Sequence, residues 1–313
     1  MTVNNLLKTP LATVLSIAGS DSSAGAGLQA DLKTIHVLGG YALTVPTAIT
    51  AQNSLDVSAV YPLSAEIIKA QLDCLASDYQ IQAVKIGMLG NIEVLKTVIS
   101  WLKEANIPQV VLDTVLISSS GKPLLETSAL PIFIKELLPL ATVITPNLPE
   151  LNALLNRSQD QSFVGESSEM VEIAQGLFDL GVQSAVIKGG HSVEKEAVDY
   201  LITADKTETT GFSLKSFTSE RLEVTDSHGT GCTLSSAIAT ELAKGYSLEH
   251  AVQKAKNFLF DALANAEKAQ PCYKTRSLRQ QRKGGLNHFN QLNSSTAEKA
   301  LNSKEQGSHK TTN

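Results

Sequence analysis

The run Gln109-Val-Val-Leu-Asp113 is the strongest constraint on what this chain can become. A strand that is almost wholly apolar, with no polar alternation, belongs to a sheet covered on both faces, and such sheets are built from parallel strands crossed over by helices. The sequence supplies that order repeatedly. Residues 14–18, 43–50, 56–61, 83–86, 142–145 and 184–188 read as further strands. Between them, stretches such as Leu28, Leu32, Ile35 and Leu38 recur at helical spacing, as do residues 64–77, 92–105, 128–138 and 167–180. Residues 197–203 and 212–217 read as an edge hairpin, and the last long helix is predicted over 247–268. The expected fold class is three-layer α/β with a mainly parallel central sheet flanked by helices. With 42% hydrophobic and 18% charged residues, the chain has material for a sizeable core.

Two glycine turns open helices. Gly19-Ser-Asp-Ser-Ser-Ala-Gly-Ala-Gly27 follows the first strand, and Asp226-Ser-His-Gly-Thr-Gly-Cys232 precedes a helix with Leu234, Ile238 and Leu242 on one face. Free N–H groups at a helix start, with glycines that let a ligand reach the backbone, make an anion site. The first turn lacks the Lys-Ser/Thr of a Walker loop and the Gly-x-Gly-x-x-Gly of a dinucleotide fold. Cys232 lies where the helix field favours thiolate, so its pKa is expected to fall. A plain glycine turn with a buried cysteine is the alternative. Asp31 is either a solvated, helix-stabilising acid or a residue facing the ligand.

Strand ends carry the other polar residues. Gln52 and Asn53 end the second long strand, where they either contact a heterocycle or cap a turn. Asp113 sits at the ligand edge of its strand. Asn147 and Glu150 have capping-box spacing, or alternatively hold Mg²⁺ through water. Lys188, before two glycines, is placed to reach a nucleotide phosphate; His191 reads as a loop residue. Three widely spaced cysteines without a Cys-x-x-Cys pair indicate neither a disulfide framework nor a structural zinc site, and suit a reducing cytoplasm. No run approaches a membrane span of about 20 apolar residues. Net charge is −5, but residues 271–313 hold eight Lys/Arg against two acids, leaving an acidic body unsuited to nucleic acid. The expected organisation is an N-terminal extension (1–12), one domain (13–270) and a polar basic tail (271–313) in part disordered.

The segments Ala18-Gly-Ser-Asp-Ser-Ser, Gly25-Ala-Gly-Leu-Gln-Ala-Asp-Leu-Lys-Thr34, Thr47-Ala-Ile-Thr-Ala-Gln-Asn53, Val84-Lys-Ile-Gly-Met-Leu89, Val111-Leu-Asp-Thr114, Thr145-Pro-Asn-Leu-Pro-Glu150, Lys188-Gly-Gly-His191 and His228-Gly-Thr-Gly-Cys-Thr-Leu-Ser235, in this order, resemble the hydroxymethylpyrimidine/phosphomethylpyrimidine kinases of thiamine biosynthesis, in the ribokinase-like superfamily. The resemblance implies transfer of the ATP γ-phosphate to 4-amino-5-hydroxymethyl-2-methylpyrimidine and then to its monophosphate, with Mg²⁺, by a homodimer. It implies that Gln52 bonds the aminopyrimidine, that Asp31 and Gly19 line that pocket with Met88 as an apolar wall, and that Gly229, Thr230 and Gly231 hold the transferring phosphoryl group. Cys232 stands where sugar kinases of the superfamily carry an aspartate base and becomes the candidate to take the hydroxyl proton. Asp113, Asn147 and Glu150 are then expected to organise Mg²⁺ and its waters, and Lys188 the nucleotide phosphates. Ala24 stands where the family often has glycine, and Ser119 where many members have Lys-Ser-Gly or Thr-Ser-Gly, so one phosphate-side cation is absent. Pyridoxal kinase and a non-catalytic pyrimidine-binding regulator are the alternatives.

Overall fold

A computed structural model describes residues 10–117, 124–189, 196–222, 227–269, 271 and 284–290. The expectations at Ser119, His191 and Asp226 lie outside these residues. Chain order begins with β1 (Thr13–Ser20), α1 (Gly27–Val37), β2 (Tyr41–Gln52), β3 (Val57–Pro62), α2 (Ala65–Asp78), β4 (Ala83–Ile86), α3 (Ile92–Ala105) and β5 (Gln109–Leu112). Next come α4 (Leu130–Ile132), β6 (Val143–Ile144), α5 (Leu148–Leu154), α6 (Met170–Asp179), β7 (Ser184–Ile187), β8 (Glu196–Ala204), β9 (Phe212–Glu220), α7 (Thr230–Ala243) and α8 (Leu248–Ala264). The expected helix over 128–138 is a patchwork: α4 is one turn between tighter and wider turns spanning 127–140, because Pro131 and Pro139 each remove a backbone donor.

One nine-stranded sheet runs β3-β2-β1-β4-β5-β6-β7-β8-β9. Its six central strands are parallel, with antiparallel β3 at one edge and the β8–β9 hairpin at the other. The chain goes from β1 outward to β2 and then returns to β4 on the other side of β1. The loops after β1 and β4 therefore part at a topological switch point, the crevice where such sheets bind ligands.

The pleat sorts each strand between two cores. Leu15, Val84, Leu112 and Ile144 join the larger core, which α2, α3, α5 and α6 help to build; Val14, Ala83, Val111, Val143 and Val186 join the one under α1, α7 and α8. Side chains two residues on share a face, so Lys85 follows Ala83, Asp113 follows Val111, Thr145 follows Val143 and Lys188 follows Val186 toward α7. Four neighbouring strands thus deliver polar groups to one helix start.

The stretch after residue 270, expected to be a tail disordered only in part, holds an ordered segment. Within 284–290, Leu286, Asn287 and His288 are buried. Asn287 N–H donates to the Ala262 carbonyl, His228 N–H to that of Gly284, and His288 Nε2 lies 2.9 Å from the Thr233 hydroxyl. A short buried segment held by hydrogen bonds ties this polar, basic stretch to the folded body.

Candidate active site

Gly229 is the N-cap of α7, with φ +87°. A Cβ there would lie 2.0 Å from the Gly25 carbonyl oxygen, so glycine is needed for the backbone angle and for contact with the first glycine loop. Thr230 and Gly231 form the first helical turn. Beside Gly231 lies the charged cluster: a Cβ on Gly231 would be 3.3 Å from Lys188 Nζ and 3.5 Å from an Asp113 oxygen. Lys188 Nζ is 3.1 Å from Asp113 Oδ1 and 3.7 Å from Glu150 Oε2. Asp113 also accepts from Thr145 (3.1 Å) and Glu150 from Thr114 (3.1 Å).

These groups tune one another. Burial opposes the Asp113 carboxylate, but Lys188 and Lys85 outweigh it and hold its pKa below the usual value. Glu150 moves the other way: burial, reinforced by the Asp113 charge, prevails over Lys188 and raises it. Burial also works against the Lys188 ammonium, yet Asp113 and Glu150 raise its pKa. Asn147 and Glu150 form a reciprocal capping box at the start of α5. Asn147 thereby spends its side-chain oxygen on the Glu150 N–H, the local alternative raised by its spacing.

Across the switch point, Gly19 faces Met88, since a Cβ on Gly19 would meet Met88 Sδ at 3.1 Å. Gln52 reaches over this loop. Its amide lies 3.1 Å from His228 Nε2 and 3.2 Å from the Thr50 hydroxyl.

Two sequence expectations are corrected here. Asp31 does not line a pocket: it is 0% exposed, paired with equally buried Lys85 at 2.8 Å, and accepts from Ser16 and Ser236. Its position in the second turn of α1, on the side where it accepts from Ser236 of α7, puts it under the site rather than in it. Cys232 is not a low-pKa thiol. Burial pushes it up to about 11, and nearby Asp31 and Asp113 add to this against Lys85 and the Gly27 N–H. The local helix field loses to long-range burial and two carboxylates.

Sequence reasoning missed Lys85, Asp21 and His228. Lysine in the middle of the apolar run Ala83–Ile86 was the available signal, since a buried ammonium demands a carboxylate partner. Asp21 offered a weaker one, an acid two residues before Ser23 in a glycine loop, the pattern of an Asx turn.

Comparison with known proteins bears directly on this arrangement. A family model described as phosphomethylpyrimidine kinase matches residues 21–275. The chain belongs to the phosphomethylpyrimidine kinase family. It is accordingly a phosphotransferase enzyme with a ribokinase-like fold. A hydroxymethylpyrimidine/phosphomethylpyrimidine kinase of Rhizobium meliloti is 42% identical over 259 residues, covering 83% of this chain and 93% of that protein. A Clostridium difficile phosphomethylpyrimidine kinase structure shares 39% identity at a TM-score of 0.68, covering 80% of this chain and 98% of that one. A Bacillus subtilis pyridoxal kinase solved with ADP shares 32% identity at a TM-score of 0.77, covering 90% and 99%. Among the described residues, no helix of this family member is long and apolar enough to cross a membrane.

Proposed function

We propose that this kinase phosphorylates the hydroxymethyl group of 4-amino-5-hydroxymethyl-2-methylpyrimidine from ATP, and then the resulting monophosphate to the diphosphate, in thiamine biosynthesis. The observation that carries this reading is the convergence of Asp113 and Lys188 on Gly231, with Glu150 beside Lys188 and with Gln52 and Met88 across the switch point. A phosphoryl group needs positioning and neutralisation above all. Lys188 and the N–H groups of Gly229–Gly231 supply both, and Gln52 offers the amide donor and acceptor that an aminopyrimidine edge requires.

Asp113 and Glu150 are hard oxygen donors that meet around one cation, Lys188, which suits Mg²⁺, an ion that binds through one or two carboxylates plus phosphates. They would hold it with its waters, and when bound it would share charge with the ATP phosphates. In the transfer, the hydroxymethyl oxygen bonds to the γ-phosphorus as the bond to the β-phosphate oxygen breaks and ADP leaves with the electron pair. With its thiol raised toward 11, Cys232 is mostly protonated at neutral pH, which favours a route in which the proton departs late, through a phosphoryl oxygen to water, as a loose transition state allows.

Exposed Ile49, Val60, Tyr61 and Ile67 around the open edge strand β3 support a homodimer, to be checked by sedimentation. A cytoplasmic, ATP-supplied setting suits this chemistry. The test of function is mass spectrometry of products from MgATP with hydroxymethylpyrimidine, and with pyridoxal in parallel. Monophosphate followed by diphosphate is expected from the pyrimidine; faster turnover of pyridoxal at matched concentration would overturn the reading.

A further inference from the structure

The loop between β1 and α1 is gathered around one carboxylate. Asp21 is 3% exposed and accepts from the Ser23 N–H (2.8 Å) and O–H (2.7 Å) and from the N–H groups of Gly25 (3.1 Å) and Ala26 (2.8 Å). Its Oδ2 also lies 3.0 Å from His228 Nε2. Burial alone would raise the Asp21 pKa, but these donors, His228 foremost, bring it down to about 2, so it stays ionised. An anionic oxygen 3.0 Å from a ring nitrogen requires a hydrogen between them, because a lone pair there would be repelled. His228 thus carries a proton on Nε2 whether the ring is neutral or charged.

The same Nε2 lies 3.1 Å from one end of the Gln52 amide. Its single hydrogen is shared between the Asp21 carboxylate and this group as a three-centre bond, so that end must be the amide oxygen. The other end lies 3.2 Å from the Thr50 oxygen, whose single hydrogen is given to the Ser20 carbonyl at 2.8 Å. Thr50 is therefore an acceptor toward Gln52 and calls for the amide nitrogen. Oxygen and nitrogen of an amide are told apart by such partners, and here both partners ask for the same orientation. The structure draws the amide the other way round, with its nitrogen toward His228 and its oxygen toward Thr50, which sets N–H against N–H at His228, so the partners call for the amide to be turned over. With these two bonds made, the amide keeps one lone pair and one N–H, in a fixed order along its edge.

We propose that Asp21 and His228 are positioning residues that set the ring selectivity of Gln52, by fixing which end of its amide donates and which accepts. The pocket is thereby committed to a six-membered ring that presents an amino group beside an unprotonated nitrogen, and against the same ring with an oxo group beside an N–H. The two rings have one shape and inverted hydrogen-bond patterns, so the wrong one pairs donor with donor and acceptor with acceptor. An amide free to turn over would accept either. The inference rests on the reading above that Gln52 contacts the ring.

The test compares affinities of the 4-amino pyrimidine and its 4-oxo analogue by calorimetry, without ATP, for wild type, Gln52→Ala, Asp21→Asn and His228→Ala. Binding is the readout because the His228 ring packs against Gly25, where a Cβ would be 2.4 Å from its Cδ2, and adjoins the phosphoryl turn. General damage there weakens both ligands alike and leaves their ratio unchanged. Wild type should prefer the amino ring roughly ten- to a hundredfold, the cost of a buried mismatched pair. Gln52→Ala should lose that preference, and His228→Ala and Asp21→Asn should each cut it about tenfold or more. If Gln52→Ala abolishes the preference while His228→Ala and Asp21→Asn keep the wild-type ratio, the inference is wrong and the Gln52 reading stands. If Gln52→Ala retains the preference, the Gln52 reading fails and takes the inference with it.

Discussion

Replacing Lys85 by methionine removes the cation from a pair in which neither member touches solvent. Asp31 would keep the hydroxyl bonds from Ser16 (2.5 Å) and Ser236 (2.7 Å) but lose Lys85 contacts of 2.9 and 2.8 Å. Methionine has nearly the length of lysine, so little cavity forms, and the cost is that of one uncompensated buried charge, about 3–5 kcal/mol. Against a typical total of about 5–15 kcal/mol this is a large fraction. The double variant Lys85→Met/Asp31→Leu should recover most of the loss, since an apolar pair of similar volume is often neutral, less about 1 kcal/mol for each serine left without its acceptor. Urea unfolding followed by circular dichroism and by fluorescence of Trp101, buried in the larger core, gives both midpoints at constant slope. A single variant costing under about 1 kcal/mol, or a double variant no more stable than the single, would refute the argument. A second readout is electrostatic. Lys85 holds down the pKa values of Asp113 and Cys232, so both should rise in Lys85→Met.

Cys232, with its thiol near 11 against an ordinary 9.0, should hold roughly a hundredfold less thiolate at about pH 8 than a free cysteine. Iodoacetamide should then label exposed Cys74 first, and the Cys232 rate should climb about tenfold per pH unit up to about pH 10; a plateau near pH 8 would contradict this. Ala24 sits at φ +61°, a left-handed angle that costs a residue with a Cβ about 1–2 kcal/mol. Since glycine gives back about 0.5–1 kcal/mol in the unfolded chain, Ala24→Gly should raise the unfolding free energy by a net of about 0.5–1 kcal/mol, read as a higher urea midpoint, and a lower midpoint would count against the strain. Asp21 has a folded pKa of about 2, below its ordinary 3.8, so its contribution is present above 3.8 and lost as pH falls toward 2. The stability difference between wild type and Asp21→Asn should shrink by about 2 kcal/mol over that window, and a constant difference would rule out this linkage.

Features set by near neighbours were legible in the sequence. The apolar run at Val110–Leu112, the period-two placement of Asp113 after Val111, and the glycines at the start of α7 follow from backbone sterics and side-chain alternation, which act over a few residues. They were enough to anticipate a sheet covered on both faces with polar groups at its strand ends. Eight motifs in fixed order added the family, because each carries a local geometry that the next does not duplicate.

What remained illegible depends on partners far away in the chain. Asp31 looked ligand-facing until Lys85, 54 residues on, claimed it beneath the site. Cys232 stood at a helix N-terminus, which argues for a lowered pKa, but its burial beside Asp31 and Asp113 reversed the sign. Residues 284–290 lie in the stretch read as a polar, basic tail, yet Asn287 and His288 are buried with hydrogen bonds to α8 and α7. Gln52 was recognisable as a polar strand end, while the orientation of its amide is decided by a histidine 176 residues away. Backbone conformation responds to adjacent residues, whereas charge, protonation and hydrogen-bond direction respond to whatever the fold brings within a few ångströms, and only the closed tertiary structure specifies that company.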